Sequence, residues 1–369
     1  MKAPAPHGAA GAALRVLFVI PGAARGSSMI FARRQAGSLR DAGIEVSLFH
    51  LRSRTSFFHL AGEWTRFRRR LRRTDPHIVH AHFGTVTGLF AALAALDRPL
   101  VITYRGSDLN RVSSAAHWRE KTRAFLGRFL SQLAALRAGR IVCVSPQLRD
   151  RLWWRRWNAV ILPSGVDPDL FLPEPQARAR ERLGWSDSER VILFNAGHDA
   201  RIKRLDLAQQ SADMARAALP AVRLEVLDGS TPPDRIPVLM NAADCLLLTS
   251  DAEGSPTVIQ EALACNLPVV SVDVGDAVER LQGVQRARIV DRDPRAIADA
   301  LVDLLTVPGR SDGRHKLGEF SAHRIVRELH RIYLQMGISL AGDMAAGEMA
   351  AGRVAASGVA AGQAPEGDV

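Results

Sequence analysis

Short, mostly apolar runs that recur at intervals filled by helical segments constrain this chain more than any other feature. Leu14 to Ile20 (LRVLFVI) comes first, with Ile44 to His50, Ile78 to Ala81, Leu100 to Thr103, Ile141 to Val144 and Val160 to Leu162 after it. Val191 to Asn195, Leu224 to Leu227, Cys245 to Leu248 and Leu267 to Val272 continue the series. Apolar runs of this length without alternation are strands buried on both faces, and a helix between successive strands makes them parallel. The pattern predicts a doubly wound α/β chain in two halves of similar plan, and 369 residues are enough for two domains. Ligands of such sheets bind beyond the carboxyl ends of the strands. The expected organisation is a disordered start (1–13), a first unit (14–172), a second (173–319), a last helix (320–338) and a disordered Ala/Gly-rich tail (339–369).

The stretch richest in chemistry is Asp251 to Asp276, DAEGSPTVIQEALACNLPVVSVDVGD. Ser255 fits a helix N-cap and Pro256 the first helical position, where a missing N–H costs nothing. The free amides that follow, near Thr257 and Val258, face the positive end of the helix dipole and suit an anion. Glu253 lies just ahead of the cap, and Glu261 is eight residues beyond Glu253. A carboxylate accepts paired hydrogen bonds from a diol, so two of them around a phosphate-ready turn suit a ligand anionic at one end and hydroxylated at the other. A sugar nucleotide is such a ligand. The loop Gly197-His198-Asp199-Ala200-Arg201-Ile202-Lys203 offers cations for its phosphates. Only four of the 49 basic residues are Lys, which makes Lys203 a pointed choice, with Arg201 or Arg204 assisting. No His/Cys/Asp cluster has metal-ligand spacing, so no metal and no cofactor are expected.

The net charge of +11 is uneven. Residues 1–172 carry 27 basic and 10 acidic side chains, and the remainder carries 22 and 28. Arg52 to Arg73 holds eight Arg against one Glu, interleaved with Phe57, Phe58, Leu60, Trp64, Phe67 and Leu71. Two readings stand side by side: an interfacial helix that inserts Trp64, Phe67 and Leu71 into an anionic membrane surface, or a solvated helix whose apolar stripe packs on its own domain. Trp153 to Trp157 is a second aromatic–basic cluster that would assist at a membrane. No recognisable nucleic-acid module accompanies the charge, and no nucleic-acid partner is expected. No apolar run reaches the roughly 18 residues of a membrane span, and no secretory leader is visible, so the expected location is cytoplasmic and peripheral to the inner membrane face. Cys143, Cys245 and Cys265 read as reduced core thiols.

In the first half, the small-residue loop Gly22 to Ser28, with Gly26 and Ser27, lets a phosphate or sugar approach the backbone or simply makes a tight turn. His80 and His82 are read as pointing to opposite faces of their strand end, His80 structural and His82 the site residue. Tyr104-Arg105-Gly106-Ser107-Asp108 ends the next strand at the same sheet edge.

At these residues the chain resembles glycosyltransferase family 4, retaining enzymes of the GT-B fold. The motifs are Glu253 to Asp276, GHDARIK (Gly197 to Lys203), PSGVD (Pro163 to Asp167), HAHFG (His80 to Gly84), YRGSD (Tyr104 to Asp108) and VCVSP (Val142 to Pro146), over about residues 14–338. The resemblance implies two Rossmann-like domains facing across a cleft, with the C-terminal helix crossing back to the first. It implies Glu261 on the ribose, Glu253 on the donor sugar, Lys203 on the diphosphate, the Thr257 and Val258 amides on phosphate, and the Gly22 loop beside donor and acceptor. Transfer would be metal-independent, the leaving phosphate helping to deprotonate the acceptor hydroxyl of a lipid-linked or envelope glycan. The chain has Arg105 where the family often has His, and His198 where it often has Arg. Its segment Leu224 to Ala243 is short where relatives add a strand and helix. These departures keep open a catalytically silent nucleotide-binding or scaffolding role.

Overall fold

The computed structural model describes residues 13–23, 29–53, 56–110, 117–197 and 199–336. The expected disordered ends thus fall, but for residue 13, outside the described residues. The first half runs β1 (Arg15–Pro21), α1 (Ile30–Asp41), β2 (Glu45–Leu51), α2 (Phe57–Thr74), β3 (Ile78–His82), α3 (Thr85–Ala94), β4 (Leu100–Tyr104), α4 (Trp118–Arg137), β5 (Arg140–Cys143), α5 (Pro146–Asp150) and β6 (Ala159–Ile161). The second continues with α6 (Gln176–Leu183), β7 (Arg190–Gly197), α7 (Ala200–Lys203), α8 (Leu205–Ala218), β8 (Val222–Asp228), α9 (Ile236–Ala242), β9 (Cys245–Leu248) and α10 (Thr257–Ala264). It closes with β10 (Val269–Val272), α11 (Ala277–Leu281), β11 (Ala287–Val290), α12 (Pro294–Thr306), α13 (Leu317–Phe320) and α14 (Ala322–Gln335).

The strands form two sheets, β2-β1-β3-β4-β5-β6 and β11-β10-β9-β7-β8, with every pairing parallel. The apolar runs pair with one another because both of their faces are covered: β3 and β4 are buried at every residue. In the first sheet the chain steps from β1 out to β2 and then returns past β1 to β3, so a crevice opens at the carboxyl ends of β1 and β3. The second sheet reverses in the same way at β7, between β8 and β9. β11 was not legible as a strand, since its ARIV sequence sits at an edge and is only partly buried.

The two halves are coupled by their termini. Ile325, Val326, Leu329, Ile332 and Tyr333 of α14 join the core on the α1 side of the first sheet, although the helix follows the second sheet in sequence. The segment leaving β6 and the one entering α14 run together as a parallel bridge, with the Val166 amide bonded to the Phe320 carbonyl (3.0 Å) and Ala322 to Val166 (2.8 Å). Gly165 takes φ +83° there, and a Cβ on it would meet Ile325 Cγ1 at 2.9 Å. The three cysteines are buried and free.

The basic stretch decides between its two readings. Phe67 is fully buried and Leu71 nearly so, against Phe49 of β2 and Phe90 of α3 (ring centroids 5.1 and 5.5 Å from Phe67). These two cannot enter a membrane while the core is intact, which corrects their assignment to an inserting face, whereas Trp64 stays exposed. Arg66 lies over the Phe49 ring and bonds Glu63, and Arg68 bonds the Ala94 carbonyl and Asp97.

Candidate functional site

The carboxyl edges of the two sheets face one another, and the loops leaving them meet. A Cβ on Gly254 would lie 1.9 Å from the Arg105 carbonyl oxygen, and one on Gly106 would lie 3.0 Å from the Gly254 amide. Only glycine admits that backbone-to-backbone approach. Asn110 Nδ2 fastens it by donating to the Glu253 carbonyl (2.9 Å). Above this floor a cavity of about 210 Å³ opens between α1 and α10, with Phe31, Arg34, Gln35, Ser164, Thr257 and Glu261 in its wall.

On the second-sheet side, the loop after β7 makes the single turn α7, capped by the Asp199 carboxylate accepting from the Ile202 amide (3.2 Å). Thr249 Oγ1 donates to the Lys203 carbonyl (2.8 Å) and the Asp251 amide to the Ile202 carbonyl (2.9 Å), tying this turn to the loop after β9. Lys203 Nζ therefore reaches Glu253 Oε1 at 2.5 Å. Glu261 sits one turn into α10, mostly buried, with Arg34 Nη1 of α1 at 3.4 Å from across the cleft. Burial pushes its pKa up to about 7, and the nearby Arg34 only partly opposes this. The Thr257 and Val258 amides open α10, whose first turn has no intrahelical acceptors for them.

Ser255 does not cap α10. The helix begins at Thr257 with Pro256 just ahead of it, and Ser255 Oγ donates to Asp276 Oδ2 (2.9 Å) while accepting from Gln260 Nε2 (3.0 Å). The buried Asp276 carboxylate needs donors, and Ser255 and Arg280 supply them. Gly197 ends β7 with φ +54° and its amide on Asn195 Oδ1. Arg201 does not join Lys203; its guanidinium is exposed and pairs with Glu120 of α4 at 3.3 Å. Gly22 follows β1 with its amide on the Leu51 carbonyl (3.0 Å). His198, Gly26 and Ser27 lie outside the described residues.

On the first-sheet side, His80 and His82 lie on one face, because strand side chains repeat every two residues. Their rings are 4.2 Å apart, which corrects the expectation of opposite faces. His80 is structural: its ring nitrogens bond Tyr333 Oη (2.8 Å) and Thr103 Oγ1 (2.7 Å), and burial drives its pKa down to about 3. His82 is fully buried, so it faces Arg105 rather than the open cleft. Arg105 Nη2 donates to His82 Nδ1 (2.8 Å), and because a guanidinium only donates, the His82 proton is on Nε2. Arg105 Nη1 donates to Ser164 Oγ (2.9 Å), and Phe31 stacks at 4.2 Å. Asp108 orders the loops by accepting from the Gly84, Arg105 and Gly106 amides (3.0, 3.1 and 2.8 Å). Arg34, Gln35, Ser164 and Asp108 were not singled out from the sequence. Asp108 and Ser164 stood in quoted motifs, whereas Arg34 and Gln35 become neighbours of the site only through the fold.

A second surface lies on the outer side of the first sheet. Trp118, Phe125, Leu126 and Phe129 are exposed on α4, and Phe129 meets Trp153 (ring centroids 6.4 Å), which continues to Trp154. An apolar groove of about 650 Å³, lined by Leu60, Trp64, Leu89, Phe90, Leu93 and Leu130, runs beside it. No helix among the described residues is long and apolar enough to cross a membrane.

Two doubly wound sheets facing each other across a cleft, with the last helix returned to the first, are the GT-B fold. Residues 23–170 match the Glycosyltransferase Family 4 model and residues 190–307 the Glycosyl transferases group 1 model; the chain belongs to this family. The TuaC glycosyltransferase of Bacillus subtilis, named for teichuronic acid biosynthesis, is 25% identical over 70% of each chain. A GDP-mannose-dependent phosphatidylinositol monomannoside mannosyltransferase of Mycolicibacterium smegmatis is 31% identical over 42% of this chain and 50% of its own length. Sucrose-phosphate synthase from Thermosynechococcus elongatus shares the fold, with a TM-score of 0.71 at 17% identity over 88% of this chain and 99% of that one. So does HepE of Anabaena, solved with UDP-glucose (TM-score 0.66, 16% identity, 87% of this chain and 100% of that one).

The raised pKa of Glu261 has a measurable consequence. With a folded value near 7 against an ordinary 4.5, the neutral form is favoured in the fold. Stability present below pH 4.5 is lost as pH rises through about 7. Glu261→Gln should melt close to wild type near pH 5 and become the more stable of the two near pH 8, by on the order of 3 kcal/mol at most. A stability difference that does not change with pH in thermal melts contradicts the assignment.

Proposed function

We propose that the protein is a retaining, metal-independent hexosyltransferase that takes a sugar from a nucleoside diphosphate donor to a lipid-linked or envelope glycan acceptor. The observation that carries this reading is the gathering of Lys203, Glu253, Glu261 and the α10 amides on one wall of a cleft closed by the first sheet's loops. Glu261 accepts from the ribose diol and Glu253 from the hexose hydroxyls. The amides of Thr257 and Val258 bind phosphate with the helix dipole behind them. Lys203 exchanges Glu253 for the diphosphate when the donor arrives, which frees Glu253 for the sugar. Acceptor hydroxyl and leaving phosphate then lie on the same face of the hexose, and the phosphate oxygen takes the hydroxyl proton. Relatives named for teichuronic acid biosynthesis and for phosphatidylinositol mannosides support an envelope acceptor.

In the presence of a chelator, the protein should transfer or hydrolyse a sugar from one member of a panel of UDP- and GDP-sugars. The product should keep the donor's anomeric configuration by NMR, and Lys203→Ala and Glu261→Ala should each lower turnover by about a hundredfold. An inverted product, or full activity in both variants, refutes the mechanism; nucleotide binding without turnover on any donor favours the silent reading.

The acceptor reading also supports contact with an anionic membrane, through a face centred on α4 to which α2 adds Leu60 and Trp64 but not the buried Phe67 and Leu71. The α4 stripe and the groove are apolar, the Trp153–Trp157 cluster adds aromatic rings interleaved with Arg155 and Arg156, and Arg119 and Arg128 stack on Trp118 and Phe125. Co-sedimentation with phosphatidylglycerol vesicles should fall with salt and with replacement of Phe125 and Trp157 by Ser. Equal binding to phosphatidylcholine vesicles, or no effect of the replacements, rules this face out.

A further inference from the structure

A donor diphosphate brings several negative charges into the cleft, and fixed cations or helix ends must meet them. Around the second sheet's loops the cations already have acidic partners. Lys203 is on Glu253, Arg204 on Asp206 and Asp251 (2.9 and 3.3 Å), Arg292 near Asp251 (3.8 Å), and Arg201 on Glu120. Arg34, reaching in from α1, is on Glu261. Each of these must lose a carboxylate before it can bind phosphate.

Arg105 differs. Its guanidinium contacts Ser164 Oγ, His82 Nδ1, Gln35 Oε1 (3.5 Å) and the Phe31 ring, and every one of these is neutral. The nearest acid, Asp108, is turned onto the main-chain amides of Gly84, Arg105 and Gly106. A guanidinium has five N–H donors, and the three hydrogen bonds just named leave two unused. One of the unused groups is the buried Nε–H. Three of the residues that hold Arg105, namely Phe31, Gln35 and Ser164, line the cavity that also contains Thr257 and Glu261. Arg105 itself stands directly behind these residues, and a partly buried cation held by neutral partners next to a ligand cleft suits an oxyanion. Burial pushes its pKa down to about 9, so it is still charged at neutral pH.

We propose that Arg105 is a phosphate-binding residue of the donor site, meeting the diphosphate from the first sheet's edge while His82 and Ser164 hold its guanidinium in place. This rests on the cleft being a nucleoside diphosphate sugar site. It assigns His82 a positioning role, since a neutral, buried imidazole accepting from Nη2 orients the cation without touching the substrate. It also makes donor binding depend on both halves of the chain, because Glu261 and the α10 amides stand on one wall and Arg105 on the other.

The test compares UDP and GDP, titrated by calorimetry, with uridine and guanosine, followed by ligand-observed NMR. Arg105→Gln should weaken the diphosphate that binds by about ten- to a hundredfold, the loss expected of one charged hydrogen-bonding partner, and leave the matching nucleoside unchanged. Arg105→Lys should retain more of the diphosphate affinity than Arg105→Gln. Unchanged diphosphate affinity in Arg105→Gln, or equal losses in the Gln and Lys variants, overturns the proposal. If the Gln variant loses the nucleoside as well, the Lys comparison decides. A wild-type protein that binds neither diphosphate refutes the donor reading itself, a result distinct from either outcome for Arg105.

Discussion

Two glycine loops touching at the floor of the cleft set the distance between the halves of this molecule. Because Gly254 has no side chain, its backbone lies against the carbonyl of Arg105, and Asn110 secures the contact by donating to Glu253. With the floor fixed there, α1 and α10 stand close enough for Arg34 to reach Glu261 and for a small cavity to remain between them. The α14 return and the Val166–Ser321 bridge hold the same two halves together from the outside. Carboxyl-edge loops, which each sheet would otherwise present to solvent, thereby become opposite walls of one site.

Electrostatics divides the labour between those walls. The second-sheet wall is a lattice of paired charges around Lys203, Glu253, Arg204 and Asp251, in which cations and carboxylates hold one another in readiness. Coulombic attraction between such partly exposed pairs is modest, so a diphosphate can replace a carboxylate. The first-sheet wall instead carries a guanidinium surrounded by neutral groups, and burial pushes the pKa of Glu261, between them, up to about 7. In the proposed reaction, fixed dipoles and cations arranged in this way would meet the charge that develops on a leaving phosphate.

Much of the architecture was legible because its causes are local. Unbroken apolar runs such as LRVLFVI are buried on both faces whatever surrounds them, and GSP ahead of an apolar helix marks the α10 turn to within a residue or two. What failed depended on partners distant in sequence. Ser255 was drawn from capping to Asp276, a residue beyond the next strand, and Phe67 and Leu71 turned inward because Phe49 and Phe90 complete that pocket. The two histidines were misplaced by ignoring the two-residue period of a strand. Arg34 and Gln35 carry no sequence signal at all, since only the docking of the two sheets makes them neighbours of the site.

A crystal structure grown with the nucleoside diphosphate that binds, in chelator and without divalent metal, tests the central claim most directly. Density is expected in the α1–α10 cleft, with the ribose on Glu261 and the phosphates between the amides of Thr257 and Val258 and the first sheet's edge. Nucleotide bound away from that cleft, or bound only when a divalent cation is supplied, would contradict it.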